Sequence, residues 1–152
     1  MRFGELPFYG SLKADCRPVD AAYSMLEDPR YLFNALWQIW SADTCAPRMR
    51  DRWSPENRTL GHCSITAFLA QDVFGGEVRG IPLGDGNFHC YNAAGGRTFD
   101  LTSEQFAPCV LTYSESDPVQ LRELHFAKEE KRLRYELLKA RLNEFLKIGS
   151  GK

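Results

Sequence analysis

Tyr31, Leu32, Leu36, Ile39 and Trp40 recur at helical spacing behind Asp28-Pro29. An Asp cap followed by Pro in the first turn starts a helix, so the pattern predicts one over about Arg30 to Trp40. Pro18 to Leu26 reads as a shorter helix, and the first dozen residues as an irregular lead-in. Ser41 to Leu60 is polar, contains Pro47 and Pro55, and reads as a long surface loop of the kind that often carries function. Cys63 to Phe74 is apolar almost all round, which predicts a central buried helix ended by Gly75-Gly76. The period then changes. Glu77–Pro82, Asn87–Asn92 and Arg97–Leu101 read as three strands joined by Gly-rich turns, an antiparallel meander. A helical turn is expected at Glu104-Gln105-Phe106. Asp117-Pro118 then opens a long C-terminal helix over about 119–147, with Leu121, Leu124, Tyr135, Leu138, Leu142 and Phe145 on one stripe. Residues 149–152 read as a flexible tail. The expected architecture is α+β: one domain over 1–148, a Cys-bearing central helix packed on an antiparallel sheet, with a long C-terminal helix.

Bulk properties narrow the class. A chain of 152 residues can bury a sizeable core without staples. A net charge of -1 argues against a nucleic-acid or membrane surface as the main partner. No stretch reaches membrane-span length, and Met1 to Pro7 lacks the pattern of a signal peptide. The cysteines, Cys16, Cys45, Cys63, Cys90 and Cys109, are odd in number and irregular in spacing, without C-x-x-C. A disulfide framework and a zinc ribbon are both disfavoured, and free thiols in a reducing, cytoplasmic setting are expected.

Most free cysteines are buried packing groups. Cys63 differs in its position. A thiol at a helix start feels the positive end of the helix dipole and unpaired backbone N–H groups, and both favour the thiolate. Gly61 lets the chain turn into that helix. His89 and Asp100 lie on adjacent strands of the expected meander, so an imidazole can pair with the thiol and a carboxylate can hold the imidazole. If His89 faces the central helix, strand alternation turns Cys90 away as a packing residue.

The segments Gly61-His62-Cys63-Ser64-Ile65-Thr66-Ala67-Phe68, Gln71 to Glu77, His89-Cys90-Tyr91-Asn92 and Phe99 to Phe106, with Trp40 to Cys45 upstream, resemble the YunG-like family of bacterial proteins. More distantly, the Cys, His, Asp order is similar to that of transglutaminase-like and papain-like cysteine proteins. That resemblance implies a papain-like/transglutaminase-like core and thiol acyl chemistry. Cys63 would be nucleophile, His89 base and acid, and Asp100 orienter. It also implies an oxyanion-hole amide six residues before the cysteine, where this chain has Asn57. Gln38 or the Cys63 backbone N–H are the other donors considered.

Each feature has a plainer reading. Asp100 and Asn92 are also turn and cap residues. Trp37 and Trp40 read as core, whereas Trp53, in the loop before Cys63, is the better ligand-stacking candidate. His62 either contacts substrate or faces solvent. Arg48, Arg50, Arg52 and Arg58 crowd the same loop as solvated charges or as a lure for an anionic substrate or partner. The pairs His62-Cys63 and His89-Cys90 admit a less favoured metal reading, because neighbours on a strand point apart. The expectation is a cofactor-free hydrolase or acyltransferase acting on a peptide, protein or small amide. Its rival is an inactive interaction module on the same fold, with a homodimer or partner surface on the C-terminal helix stripe.

Overall fold

The computed structural model describes residues 6–150, with side chains through Lys147. Helix α1 is Pro29–Ile39. The Asp28 carboxylate accepts the Arg30 N–H at 2.9 Å, and Pro29 fills the first turn, where its missing N–H is not needed. Of the expected Pro18–Leu26 helix only a 3-10 turn forms, Ala21–Tyr23, capped by Asp20. The 41–60 segment is not structureless, since it carries 3-10 turns at Ala42–Thr44 and Pro47–Arg52.

Helix α2 is Cys63–Phe74, with Ser64 to Ala70 all buried. Its end needs glycine. Gly76 has φ 72°, and a Cβ there would lie 2.2 Å from the Ala93 carbonyl oxygen, so only Gly lets the chain fold this tightly back over the sheet. Strands β1 (Glu77–Pro82), β2 (Phe88–Ala94) and β3 (Arg97–Phe99) form one antiparallel sheet in the order β1-β2-β3. The register pairs Ile81 with His89 and Asn92 with Phe99. Asn92 donates to the Ala67 carbonyl of α2 at 2.8 Å, which ties the sheet to the helix. Alternation therefore puts Cys90 with Asn92 on the helix side, and His89 with Tyr91 on the opposite face. This reverses the orientation expected for His89 and Cys90.

The C-terminal helix is shorter than predicted and is preceded by a separate turn. Residues 118–120 run extended beside β1: Gly80 N donates to Pro118 O, and Gln120 N to Val78 O. They cover a sheet edge that would otherwise expose unpaired backbone groups. Asp117 is not a helix cap; its carboxylate takes the Tyr91 hydroxyl and the Ser114 N–H. Helix α3 is Arg122–Phe126 and helix α4 is Glu129–Ser150. Of the predicted tail, residues 149 and 150 continue α4, and 151 and 152 lie outside the described residues. No helix among the described residues is long and apolar enough to cross a membrane.

Arg122 fastens these helices to α2. It donates to Asp72, Gln71, the Phe68 carbonyl and the Tyr135 hydroxyl, while its guanidinium lies over the Phe68, Phe126 and Tyr135 rings. Asp72 also accepts from Tyr135 and Lys139 of α4. Tyr135, Leu138 and Leu142 of α4 enter the same core as Leu32, Leu36, Phe68 and Phe99. Leu133, Leu137 and Phe145 of that helix stay exposed.

Candidate active site

Gly61 shapes the approach to α2. Its φ is 76°, and a Cβ would sit 2.5 Å from the Cys45 sulfur, so the chain passes Cys45 at a distance only glycine allows. His62 follows as the N-cap residue but gives the helix no side-chain cap. Cys63 is thus the first helical residue, and no hydrogen bond of the described residues uses the backbone N–H of Cys63 or Ser64. These are the orphan donors of a helix start.

The turn after β3 presents the carboxylate. Asp100 is fully buried and collects only donors. Oδ2 takes His89 Nε2 at 2.6 Å and the Tyr113 hydroxyl at 2.6 Å; Oδ1 takes the Thr102 N–H at 3.1 Å and the Thr102 hydroxyl at 3.3 Å. The backbone of Asp100 is held in turn by Tyr9, whose carbonyl accepts the Asp100 N–H and whose ring stacks on Tyr113. Burial and the charge of Asp100 hold the Tyr113 phenol far above its usual range, so it remains a donor.

With Nε2 on Asp100, the other nitrogen of His89, Nδ1, is buried and makes no hydrogen bond of ordinary geometry. Phe106 packs edge-on against the ring at 4.7 Å. Burial alone would lower the imidazole pKa, but the Asp100 bond and the neighbouring Cys63 thiol outweigh it and raise it to about 10. The Cys63 thiol moves the opposite way, well below its ordinary value. The largest cause is the Cys90 thiol beside it; burial opposes it, and the neighbouring His89 imidazole lowers it further. Cys90 is correspondingly pushed far up by its bond to Cys63 and by burial, and stays a thiol. Lying at the very start of α2, Cys63 is reached by both faces of β2. Both shifts favour the charged forms of Cys63 and His89, with the Cys90 thiol beside the sulfur.

Cys63 keeps partial solvent exposure and, with His89, lines a cavity of about 930 Å³. The other sequence candidates are not at this cavity. Trp53 Nε1 donates to the Arg58 carbonyl at 2.9 Å, Asn57 folds back on Ser54, and Gln38 is exposed on α1. None of the three lines the cavity, because the loop closes on itself before reaching the thiol. Arg58 is drawn to α1, donating to the Trp37 carbonyl, and Arg50 is spent on the carbonyls of Ala42, Asp43 and Cys45. Arg48 and Arg52 do line the cavity. Sequence reasoning missed Tyr113, Cys90, Gln105 and Lys131. Gln105 and Lys131 both line the cavity, Lys131 from the charged run of 128–132. Among the described residues, no three His, Cys, Asp or Glu gather as a metal site.

His62 faces neither solvent nor the cavity. It is fully buried, with Nδ1 donating to the Leu60 carbonyl at 2.9 Å and Nε2 accepting the Thr44 hydroxyl at 2.7 Å. Burial lowers its pKa from 6.5 to about 4. A group whose folded pKa is depressed in this way takes up its proton more readily in the unfolded chain. Its contribution is full above 6.5 and is lost as pH falls toward about 4. Urea unfolding should therefore show about 3 kcal/mol of stability lost across that window. His62→Gln should remove that part of the pH dependence, and an unchanged slope would contradict the assignment.

A model of the family described as YunG protein matches residues 28–147. The chain is also 32% identical over 81 residues to the uncharacterized protein YunG of Bacillus subtilis (strain 168), which covers 53% of this chain and 63% of that protein. It thus spans less than two thirds of the length of the curated relative it matches. No solved structure matches it.

Proposed function

The chain belongs to the YunG family, and from that premise we propose that it is a cysteine-dependent hydrolase or acyltransferase acting on an amide or peptide bond. The observation that carries this reading is the buried 2.6 Å bridge from Asp100 to His89, which lines one cavity with the half-buried Cys63 at a helix start. In order along the chain, Cys63, His89 and Asp100 are similar to the catalytic set of papain-like and transglutaminase-like proteins, and this reading gives them the same roles.

In the first half-reaction the Cys63 thiolate attacks the acyl carbonyl, and a C–S bond forms as the carbonyl π bond opens to an oxyanion. The unpaired N–H groups of Cys63 and Ser64 are the donors nearest the sulfur by sequence, and they replace Asn57 and Gln38 as oxyanion candidates. The C–N bond then breaks, and the leaving amine takes the proton from His89. In the second half-reaction His89 removes a proton from water or an acceptor amine, which attacks the thioester and releases Cys63. Asp100 accepts from Nε2 and so keeps the Nε2–H tautomer.

The inactive-module reading needs a free apolar stripe on the last helix and a covered thiol. Tyr135, Leu138 and Leu142 of that stripe are spent on the chain's own core, while Leu121, Leu124 and Phe145 stay exposed, and the half-buried Cys63 at the cavity is what favours the enzyme. The test is acylation. Incubation with an activated aryl ester should place one acyl group on Cys63, located by peptide mass spectrometry, and Cys63→Ala should abolish it. Labelling spread evenly over Cys16, Cys63 and Cys109 would sink the proposal.

A further inference from the structure

The cavity over Cys63 has a charge at odds with the chain around it. Arg48, Arg52, Lys128, Lys131 and Arg134 line it, against one carboxylate, Glu130, in a chain whose net charge is -1. That carboxylate is already taken, since Glu130 pairs with Arg134 at 2.6 Å. Arg134 is itself buried and spends a second donor on the Thr44 carbonyl at 3.1 Å. Arg48, Arg52, Lys128 and Lys131 form no salt bridge among the described residues.

Lys131 is the most constrained of the four. It is half-buried, and its Nζ donates to His125 Nδ1 at 2.9 Å. His125 in turn donates from Nε2 to Gln120 Oε1 at 2.8 Å. Burial and the Lys131 charge keep His125 neutral at ordinary pH, with a pKa lowered to about 4, so it can accept from Lys131. A neutral acceptor orients an ammonium but does not neutralise it. A partly desolvated cation without a counter-charge is costly, and such groups are retained where a ligand supplies the missing charge. On the same side, α3 presents Leu121 and Leu124, both exposed and both lining the cavity.

We infer that this site takes a substrate bearing an anionic group, a carboxylate or a phosphate, beside the reacting carbon, and that Lys131 is the residue that holds it. The inference deepens the acyl-transfer reading, because it names the charge of the substrate that Cys63 would attack. Lys128, Arg48 and Arg52 raise the local concentration of such anions from the rim.

Two alkylating reagents that differ in charge test it without an acyl donor. Iodoacetate and iodoacetamide deliver the same carbon to sulfur, one as an anion and one neutral. Their rate ratio at Cys63, divided by the ratio for free N-acetylcysteine, should favour iodoacetate by about tenfold at low salt and decline as salt screens the site. Lys131→Met should bring the ratio back toward that of the free thiol, and Lys131→Arg should restore most of it. A wild-type ratio equal to that of the free thiol overturns the inference. So does a Lys131→Met variant in which both reagents slow by the same factor, because Lys131 would then only stabilise the thiolate. Succinate and inorganic phosphate are added as competitors in parallel. Protection by either supports the site and identifies the anion, and protection by neither counts against it. A Cys63 that shows the charge preference yet forms no acyl adduct would sink the acyl reading and leave the anion site standing.

Discussion

At pH 7, iodoacetamide should modify Cys63 about 30-fold faster in the unaltered chain than in a His89→Ala variant. A thiol of ordinary pKa, about 8.5, is only about 3% ionised at that pH, whereas one held as a thiolate is wholly ionised. Two further effects pull in opposite directions. Without the imidazole, burial pushes the Cys63 pKa up, opposed by the Cys90 bond, and this widens the gap. A low-pKa thiolate is also a weaker nucleophile, and this narrows it. The pH profile is the sharper reading. With His89 present, the rate should be level from neutrality to about pH 10, where the imidazolium loses its proton, and should fall only in acid as the thiolate is protonated. With alanine there, the rate should climb through the ordinary thiol range. Matching profiles in the two proteins would mean that the imidazole does not activate the thiol.

Asp100→Asn is expected to slow the same reaction by about as much as His89→Ala, roughly 30-fold, although it preserves size and shape. Every partner of this carboxylate is a donor: His89 Nε2 and Tyr113 on one oxygen, and both Thr102 groups on the other. Asparagine must turn an NH₂ toward one pair. Facing Thr102, it meets a backbone N–H that cannot accept. Facing His89, it forces Nε2 to become the acceptor, which moves the ring proton to Nδ1, the nitrogen left for the thiol. The imidazole can then no longer take the thiol's proton. Nitrogen-resolved NMR of His89 should show that switch of tautomer, and a variant retaining the Nε2–H form and full reactivity would refute the role given to Asp100. Tyr113→Phe removes one donor without reversing any and should slow the reaction much less.

Much of this architecture was legible in the chain. The all-round apolar run from Cys63 to Phe74 with glycines behind it marked α2 to the residue, and alternation with Gly-rich turns marked the meander. These signals are local, and local physics decided those segments. Failures occurred where a distant partner decided. Asp117-Pro118 has the appearance of a helix start, yet Tyr91 and Ser114 claim the carboxylate and β1 claims the backbone that follows. Nothing between Leu121 and Glu129 announces the break between α3 and α4, because it is set by Arg122 gripping α2. Cys63, His89 and Asp100 could be picked out by residue type and spacing. Tyr113 could not, since an isolated tyrosine in a Ser-rich stretch carries no mark of the aspartate it serves. Trp53 was nominated for its place in the loop before Cys63 and Asn57 by the papain-like resemblance, and neither ground says anything about a loop that bonds to itself.

The clasp on Asp100 also bears on how the protein is made. Cys63, His89 and Asp100 lie within one stretch of helix and meander, and all leave the ribosome before Tyr113 and well before α4. Chains emerge from the N-terminus and fold in units as they do. Tyr9 is already waiting when Asp100 appears, but the phenol that completes the carboxylate's shell arrives thirteen residues later. The wall bearing Lys131 and Arg134 arrives later still, and can dock only once Asp72 has Tyr135 and Lys139 to hold. The order of synthesis therefore completes this wall only after Cys63, His89 and Asp100 are already in the chain.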